Sequence, residues 1–247
     1  MIESLEGRTA VVTGGSRGIG KAIAARYAAA GANVVIVSRR EESLRAAAAE
    51  LGERAAWYAA SVRDPDAPER TMRLAVERFG GIDILVNNAA VNPFFGSLLE
   101  ISAEQLAVTA EANQAAPLLW TQAAVAAGLG RTGGGAVVNV ASIGGLVTEP
   151  GLGYYNATKA ALLHLTRQLA VELAPRVRVN SIAPGIVRTD MARVLWEEHE
   201  AEVRSKTPLG RIGEPADVAA AALFLSAPSS SWITGSMLVI DGGMSLL

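Results

Sequence analysis

Two side chains in one stretch of the sequence could together move a proton to or from a carbonyl group. Tyr155 and Lys159 lie four residues apart, and residues at this spacing share one face of a helix. A free tyrosine has a pKa of about 10 and is a weak base at neutral pH, but a neighbouring cation favours the phenolate and lowers this value. The pair is therefore predicted to act as a proton donor and acceptor for a carbonyl/alcohol couple.

A hydroxyl group and a second phenol accompany this pair. Ser142 follows the apolar run Ala136–Ala141, and a side chain at the carboxyl end of a parallel strand faces the ligand crevice. Tyr154 is the rival phenol, but the residue four positions after it is Thr158, which carries no charge. On spacing alone, a tyrosine and a lysine four residues apart could also be an ordinary pair on a helix surface.

A glycine-rich turn near the N-terminus could hold a dinucleotide. The segment Thr13-Gly14-Gly15-Ser16-Arg17-Gly18-Ile19-Gly20 lies between a predicted strand and a predicted helix. Glycines there let the backbone approach a pyrophosphate, which binds at the amino end of the helix. The spacing is T-G-x-x-x-G-x-G instead of G-x-G-x-x-G, and a generic strand–helix turn is the alternative. The residues predicted to contact the cofactor here are Gly14, Ser16, Arg17, Gly18, Ile19 and Gly20.

The end of the second predicted strand favours the 2′-phosphorylated cofactor. Dinucleotide sites place an acid there to bind the ribose 2′-OH, or an arginine to accommodate a 2′-phosphate. This chain has Ser38-Arg39-Arg40, and the first carboxylate is Glu41 at the start of the next helix. Arg17 could reach the same phosphate, because a guanidinium binds phosphate oxygens in pairs. NADP(H) is therefore predicted over NAD(H); a solvated arginine pair is the alternative.

The elements that position these residues alternate along the chain. Near-continuous apolar runs are typical of strands buried on both faces of a parallel sheet. The predicted strands are Thr9–Thr13, Asn33–Ser38, Ala55–Ala59, Ile82–Asn87, Ala136–Ala141, Val177–Ile182 and Met237–Ile240. The predicted helices are Ile19–Ala30, Glu41–Leu51, Ala67–Phe79, Ala103–Ala127, Asn156–Ala174 and Pro215–Leu225.

This alternation predicts an α/β fold, a single-domain Rossmann-type doubly wound parallel sheet of about seven strands with helices on both faces. Residues 1–247 are expected to form one dinucleotide-binding and catalytic domain. Met191–Thr207 is charged and amphipathic and lies where ligand-covering segments of such sheets are found. The weakly charged stretch 111–149 is predicted to be a buried helix, a glycine turn at Gly133-Gly134-Gly135 and a buried strand.

Composition excludes several other functions. The chain has 22 basic and 24 acidic residues and a net charge of −2, without the basic excess of a nucleic-acid binder. The absence of cysteine excludes thiolate nucleophiles and cysteine-bound metals, and two histidines cannot form a three-histidine zinc site. No metal site is therefore predicted. The acidic N-terminus lacks the apolar region of a signal peptide, no stretch is predicted to span a membrane, and a cytoplasmic protein is expected.

Taken together, these motifs resemble the classical short-chain dehydrogenases/reductases over nearly the whole chain. The segments that carry the resemblance are Thr13-Gly14-x-x-x-Gly18-x-Gly20, Asp83–Ala90, Ser142 with Tyr155-x-x-x-Lys159, Asn180–Gly185, and Ile233-Thr234-Gly235 before Asp241-Gly242-Gly243. Within the family, the chain is similar to the 3-oxoacyl-[acyl-carrier-protein] reductases. The segment Asn92–Gly96 also resembles a branch of NADPH-dependent carbonyl and retinal reductases.

The resemblance implies roles for individual residues. Tyr155 would be the general acid/base, Lys159 would lower its pKa and bind the nicotinamide ribose, and Ser142 would bind the substrate oxygen. Asn113 would hold a water that relays protons to the lysine, and Asn88 would lie along the cofactor. The contacts implied around the nicotinamide are Pro184, Gly185, Val187 and Thr189. The segment 191–207 would be the substrate lid, and the family usually forms homotetramers.

Three positions depart from the family pattern. Ser61 stands where an aspartate usually binds the adenine, so that contact would weaken or move to the backbone of Val62. Ala116-Pro117 replaces a glycine three residues after the catalytic asparagine. Ala90 replaces the glycine that usually ends the fourth-strand motif.

The sequence therefore predicts an NADPH-dependent reductase that transfers a hydride to a ketone carbonyl. The substrate would be a small molecule, a 3-oxoacyl thioester or a related carbonyl compound, either free or carried on acyl carrier protein. One alternative is an NAD-dependent alcohol dehydrogenase that uses the same site. A non-catalytic dinucleotide sensor is the other, because a fold does not fix a function.

Overall fold

A single parallel sheet organises the chain. The computed structural model describes residues 3–131 and 134–247, so Gly133 of the predicted glycine turn and the first two residues lie outside the described part. The strands are β1 (Thr9–Thr13), β2 (Asn33–Ser38), β3 (Ala55–Ala59), β4 (Ile84–Asn87), β5 (Gly135–Val140), β6 (Val177–Pro184) and β7 (Met237–Ile240). They form a seven-stranded sheet in the order β3-β2-β1-β4-β5-β6-β7, and every neighbouring pair is parallel.

Helices connect successive strands and cover both faces of the sheet. They are α1 (Gly18–Ala29), α2 (Glu41–Leu51), α3 (Ala67–Phe79), α4 (Ala103–Ala110), α5 (Ala116–Ala126), α6 (Gly153–Leu173), α7 (Arg193–Trp196), α8 (Glu200–Ser205) and α9 (Pro215–Ser226). The predicted doubly wound α/β fold is therefore confirmed. Within the two described ranges, no helix combines the length and apolar character needed to cross a membrane.

Alternate residues of the central strands pack into two separate apolar cores. Ala10 and Val12 of β1 pack with helices α1, α2 and α9, whereas Val11 between them packs with α3, α5 and α6. Because successive side chains of a strand point to opposite faces, both sides of β1 must be apolar. This explains the unbroken apolar runs in the sequence.

One predicted helix is interrupted. The prediction of a continuous helix over Ala103–Ala127 is wrong, because a π-helical turn at Glu111–Ala115 separates α4 from α5. The backbone N–H of Ala116 donates to the carbonyl of Glu111, five residues earlier. π-turns of this kind occur often at functional sites. Here the turn carries Asn113.

The order of the strands fixes where a ligand can bind. β1 lies between β2 and β4, so the connections from β1 and β4 leave the sheet toward opposite faces. Such a switch point opens a crevice at the carboxyl ends of the strands, where ligands of open α/β sheets bind. The glycine turn after β1, Asn88 after β4 and Ser142 after β5 all lie at this edge.

Candidate active site

The glycine turn packs too closely to admit side chains at Gly14, Gly15 and Gly20. A Cβ on Gly20 would lie 2.3 Å from the carbonyl oxygen of Gly14. At Gly14, where φ is +67°, a Cβ would lie 2.7 Å from Nδ2 of Asn88. The resulting cradle of backbone at the start of α1 fits a pyrophosphate, which needs close approach to main-chain N–H groups.

Asn88 braces this turn with its side chain. Its Nδ2 donates to the carbonyl oxygen of Thr13 at 2.9 Å and to that of Gly14 at 3.4 Å. The hydroxyl of Thr13 accepts from the backbone N–H groups of Asn88 and Ala89 at 3.0 and 3.1 Å and donates to the Val86 carbonyl. Asn88 therefore holds the shape of the cradle, and its side-chain N–H groups are used within the protein.

The end of β2 presents unsatisfied polar groups. The hydroxyl oxygen of Ser38 is buried without a hydrogen-bond partner in the described part of the chain. Arg39 and Arg40 are exposed, and no ion pair holds either of them within residues 3–131 and 134–247. Buried hydroxyls are normally hydrogen-bonded, so this orphan beside two free guanidinium groups fits a bound ribose with a 2′-phosphate.

Arg17 has a partner across the crevice. Its Nη1 lies 3.1 Å from Oδ2 of Asp190, which follows β6, and both side chains are about half exposed. Contact between Arg17 and a 2′-phosphate, as the sequence suggested, would therefore require this ion pair to open. Exposed ion pairs contribute about 1 kcal/mol or less to stability, so the free-energy cost of opening this pair is small.

The predicted adenine contacts lie after β3. Ser61 caps the following turn, because its hydroxyl oxygen accepts from the N–H of Arg63 at 3.2 Å. The carbonyl of Val62 accepts from the indole N–H of Trp120 at 3.2 Å. The backbone at Val62 is thus fixed by a buried tryptophan, and Ser61 provides no carboxylate.

The chain after β6 forms the other wall of the crevice. Pro184 is buried at the end of β6, and a Cβ on Gly185 would lie 2.8 Å from Cβ of Asp241. Val187 pairs with Gly213 in an isolated parallel bridge. Thr189 lies opposite the glycine turn, with Cγ2 3.3 Å from the position of a Cβ on Gly18. All four predicted nicotinamide contacts are therefore in this wall.

Tyr155 and Lys159 share one face of α6. The ammonium nitrogen of Lys159 lies 5.5 Å from the centroid of the Tyr155 ring and donates to the carbonyl of Val140 at 2.8 Å. Lys159 is only 2% exposed. Ser142 lies close enough to the phenol to lower its pKa, and its hydroxyl oxygen accepts from the N–H of Gly144 at 3.1 Å. The serine, tyrosine and lysine predicted from the sequence therefore meet at the carboxyl end of β5.

Burial dominates the electrostatics of this cluster. It raises the pKa of Tyr155 to about 12, opposed by hydrogen bonding from Ser142 and reinforced by the negative charge of Glu149. It also lowers the pKa of Lys159 to about 8, because the ammonium loses its hydration. The sequence led us to expect a lowered pKa for Tyr155. That direction is wrong, because desolvation of the phenolate outweighs the lowering effect of Ser142.

Asn113 joins three elements around the same cluster. Its Nδ2 donates to the carbonyl of Val91 at 3.0 Å and to the hydroxyl of Thr158 at 3.1 Å. Its Oδ1 accepts from the N–H of Val91 at 3.0 Å. Thr158 in turn donates to the carbonyl of Tyr155 at 2.7 Å. The π-turn, the exit from β4 and helix α6 are thus locked together by one buried amide.

The shifted pKa of Lys159 predicts how stability depends on pH. Between pH 8 and 10.5 the folded chain has lost a proton that the unfolded chain keeps, so the free energy of unfolding rises with pH in this window. Methionine cannot titrate, so Lys159→Met lacks this pH dependence. From pH 7 to pH 10 the free energy of unfolding of the wild type should therefore rise by about 2 to 3 kcal/mol more than that of Lys159→Met. Urea unfolding of both proteins across this range measures it. A constant difference between them would contradict a desolvated ammonium.

Sequence reasoning missed two residues at the site. Glu149 lies in the loop before α6, and Thr158 carries the link from Asn113 to the backbone of Tyr155. No spacing rule marks either position. Thr158 lies within the Tyr155–Lys159 segment, where it served only to discount Tyr154 as the catalytic phenol.

The arrangement defines a class of protein. A glycine cradle at the switch point of a doubly wound sheet, with serine, tyrosine and lysine side chains at the neighbouring strand ends, is a site for a nicotinamide dinucleotide and a carbonyl or alcohol. The sequence profile of a family described as enoyl-(acyl-carrier-protein) reductase matches residues 14–245. The chain belongs to the short-chain dehydrogenase/reductase family, oxidoreductases that act on CH–OH and C=O groups of small molecules with nicotinamide dinucleotide cofactors.

Individual relatives agree with this assignment. The chain is 44% identical to dehydrogenase/reductase SDR family member 4 of Pongo abelii, over 98% of this chain and 88% of that protein. It is 41% identical to an uncharacterised oxidoreductase of Mycobacterium tuberculosis, over 97% and 93% of the two chains. The crystal structure of a Brucella melitensis protein described as a short-chain dehydrogenase/reductase, glucose/ribitol dehydrogenase, superposes with a TM-score of 0.94 at 37% identity, covering 99% of each chain.

Proposed function

We propose that this protein is an NADPH-dependent reductase that converts a ketone, such as a 3-oxoacyl thioester or a related carbonyl compound, into an alcohol. The observation that carries the proposal is the convergence of Ser142, Tyr155 and Lys159 at the strand ends beside a glycine cradle. When bound, the nicotinamide supplies the hydride. The protein has to orient the reactants and deliver the proton.

The cofactor would lie along the crevice from the end of β2 to the end of β6. The pyrophosphate would rest on the cradle braced by Asn88, and the 2′-phosphate would meet Arg39 and Arg40. The residues proposed to hold the cofactor are Gly14, Ser16, Arg17, Gly18, Ile19, Gly20, Ser38, Arg39, Arg40, Ser61, Val62, Asn88, Tyr155, Lys159, Pro184, Gly185, Val187 and Thr189.

Tyr155 would donate the proton to the substrate oxygen. Its raised pKa keeps the phenol protonated at neutral pH, which is the form needed to give a proton to a developing alkoxide. The hydroxyl of Ser142 would hydrogen-bond the same oxygen and stabilise its negative charge. Lys159 would stabilise the phenolate left on Tyr155 and bind the nicotinamide ribose.

Asn113 would position a water that returns a proton to Lys159. Its side chain is already used in three hydrogen bonds, which leaves its backbone carbonyl for the water. In a regular helix that carbonyl would accept from the N–H of residue 117, but Pro117 has no N–H. The departure at Ala116-Pro117 is therefore compatible with the relay.

The substrate would enter between a loop and a lid. The loop segment Asn92–Ser97 packs its Phe95 ring onto Gly151, and the N–H of Gly96 donates to the Gly151 carbonyl at 3.0 Å. The proposed lid, Met191–Thr207, contains α7 and α8. Arg188 bonds to Glu200 at the start of α8 at 2.5 Å, so the lid is tied to the wall that follows β6.

A substrate panel tests the function. The purified protein is titrated with NADPH by fluorescence and then given 3-oxoacyl thioesters and simple ketones while NADPH consumption is followed. We expect consumption with at least one ketone and formation of the matching alcohol. Binding of NADPH without turnover of any carbonyl compound, and without oxidation of any alcohol, would support the sensor alternative instead.

The preference for NADPH has its own test. Because charge-assisted hydrogen bonds to phosphate are each worth about 1.5 to 3 kcal/mol, Arg39→Ala with Arg40→Ala should weaken NADPH binding at least about tenfold. NADH binding should change less than about twofold, because NADH lacks the 2′-phosphate. Fluorescence titration of both cofactors measures this.

The double variant Arg73→Ala with Arg78→Ala removes the same charge from α3 and should leave both affinities unchanged. A wild type that binds NADH as tightly as NADPH would contradict the preference. The NAD-dependent alcohol dehydrogenase would then become the better description of the protein.

A further inference from the structure

Glu149 places a carboxylate against residues that adjoin the two hydroxyls proposed for catalysis. Its Oε2 accepts from Nδ2 of Asn156 at 3.4 Å and lies 3.1 Å from the position that a Cβ on Gly144 would take. Gly144 donates its N–H to the hydroxyl of Ser142, and Asn156 directly follows Tyr155. The carboxylate thus lies against a neighbour of each hydroxyl that would hold the substrate oxygen.

This carboxylate has no counter-ion in the described part of the chain. Across residues 3–131 and 134–247, no lysine, arginine or histidine forms an ion pair with Glu149, although it is half-buried. The one hydrogen bond that its side chain forms with the described residues is long and comes from a neutral amide. The carbonyl oxygen of that same Asn156 amide is buried without a partner among the described residues. A partly buried charge is costly unless it is paired, so an unpaired one at a ligand site indicates that the ligand supplies the partner.

The geometry of the proposed reaction brings the substrate to this charge. The carbonyl oxygen would have to lie within hydrogen-bonding reach of Ser142 and Tyr155. Because Glu149 contacts a neighbour of each of these residues, the groups next to that carbonyl would then come near its charge. The charge already acts on this region, since Glu149 contributes to raising the pKa of Tyr155.

We propose that Glu149 sets the charge selectivity of the substrate site, so that ketones with a cationic group near the carbonyl are favoured and ketones with a carboxylate there are rejected. The proposal rests on the reductase function and narrows its substrate class. Two unit charges several ångströms apart near a protein surface interact strongly enough to change a rate constant about tenfold.

Three ketones that share one reacting group provide the test. The probes are 4-acetylbenzoate, 4-acetylbenzamide and 4-acetyl-N,N,N-trimethylanilinium, which are anionic, neutral and cationic. The measured quantity is the ratio of kcat/KM for the cation to kcat/KM for the anion. In Glu149→Gln this ratio should fall about tenfold from its wild-type value, and in Glu149→Asp it should stay close to wild type. Intrinsic differences in reactivity among the probes are the same for every variant and cancel in this comparison.

Two further variants serve as controls. Glu77→Gln removes the same charge from an exposed position on α3 and should leave the ratio unchanged. Glu149→Ser removes the charge with a smaller side chain, so it provides a second neutral variant if Glu149→Gln does not fold. The neutral probe reports whether each variant still has a working site.

The outcomes distinguish the proposed role of Glu149 from the proposed reductase function. A ratio that is unchanged in both neutral variants, while the neutral ketone is still reduced, would overturn the role of Glu149 and leave the reductase standing. A wild type that binds NADPH but reduces none of the three probes and no ketone of the wider panel would overturn the proposed function, and this proposal would fall with it.

Discussion

Replacing Tyr155 with phenylalanine should lower kcat for ketone reduction about a thousandfold. General acid catalysis contributes about 10²- to 10⁴-fold, and this substitution removes only the hydroxyl that would supply the proton. The ring remains to pack beside the ammonium of Lys159, which lies 5.5 Å from its centroid. The affinity for NADPH should therefore change only about threefold or less. Steady-state kinetics and a fluorescence titration on the same preparation separate the two effects.

The adjacent residue gives a matched control. Tyr154 is also partly buried on the first turn of α6, but the residue four positions on is Thr158, which carries no ammonium. Tyr154→Phe removes the same atom one residue away and should keep kcat within about twofold. Comparable losses in the two variants, or a Tyr155→Phe enzyme within about tenfold of wild type, would remove Tyr155 from the role of proton donor.

The sheet could be predicted because its strands are buried on both faces. Burial makes β1 and β2 continuous apolar runs. The edge strand β3 is only partly buried but is also apolar, and the predicted bounds of all three strands agree with the structure. The end of β6 was less well predicted. It extends two residues beyond Ile182, to Pro184, because its last residues pair with β7. Pairing with another strand does not change the local sequence pattern, so the sequence did not indicate these two residues.

The π-turn could not be predicted from periodicity. The apolar pattern of 103–127 continues through the turn, and Pro117, which has no N–H for the Asn113 carbonyl, is the one local sign of an interruption. The side chain of Asn113 is held there by hydrogen bonds to Val91 and Thr158. These partners lie 22 and 45 residues away along the chain. The asparagine was identified by resemblance to a family, whereas its packing depends on contacts between three elements.

The electrostatics of the candidate site depend on burial, which spacing does not report. Two residues four apart on a helix are predicted to be neighbours, and Tyr155 and Lys159 are. Whether the cation lowers the pKa of the phenol depends on how much water each group loses, and Lys159 is almost fully buried. The unpaired carboxylate of Glu149 was missed for the same reason, because a lone acid in a loop looks solvated in the sequence.

Substituting alanine for Gly20 should abolish tight cofactor binding, with affinity for NADPH at least about 100-fold weaker. The new Cβ would lie 2.3 Å from the carbonyl oxygen of Gly14 and 2.4 Å from Nδ2 of Asn88. The first of these atoms belongs to the backbone and the second is fixed by its bond to the Thr13 carbonyl, so the turn itself must open. An opened turn no longer presents its N–H groups to a pyrophosphate. Overpacking of this kind also costs about 1 to 3 kcal/mol of stability, which corresponds to a fall in Tm of about 2 to 12 °C for a chain of this size.

Gly81→Ala is the matched control, because it adds the same methyl group at a position without close neighbours. A Cβ there meets nothing within 4 Å, and its φ lies outside the left-handed region, so Gly81→Ala should keep both the Tm and the affinity for NADPH. Circular dichroism at the temperature of the titration establishes that Gly20→Ala is folded when its affinity is measured. A folded Gly20→Ala protein that binds NADPH within about threefold of wild type would mean that the pyrophosphate does not rest on this turn. The cofactor would then have to be held mainly by the residues after β2 and β6.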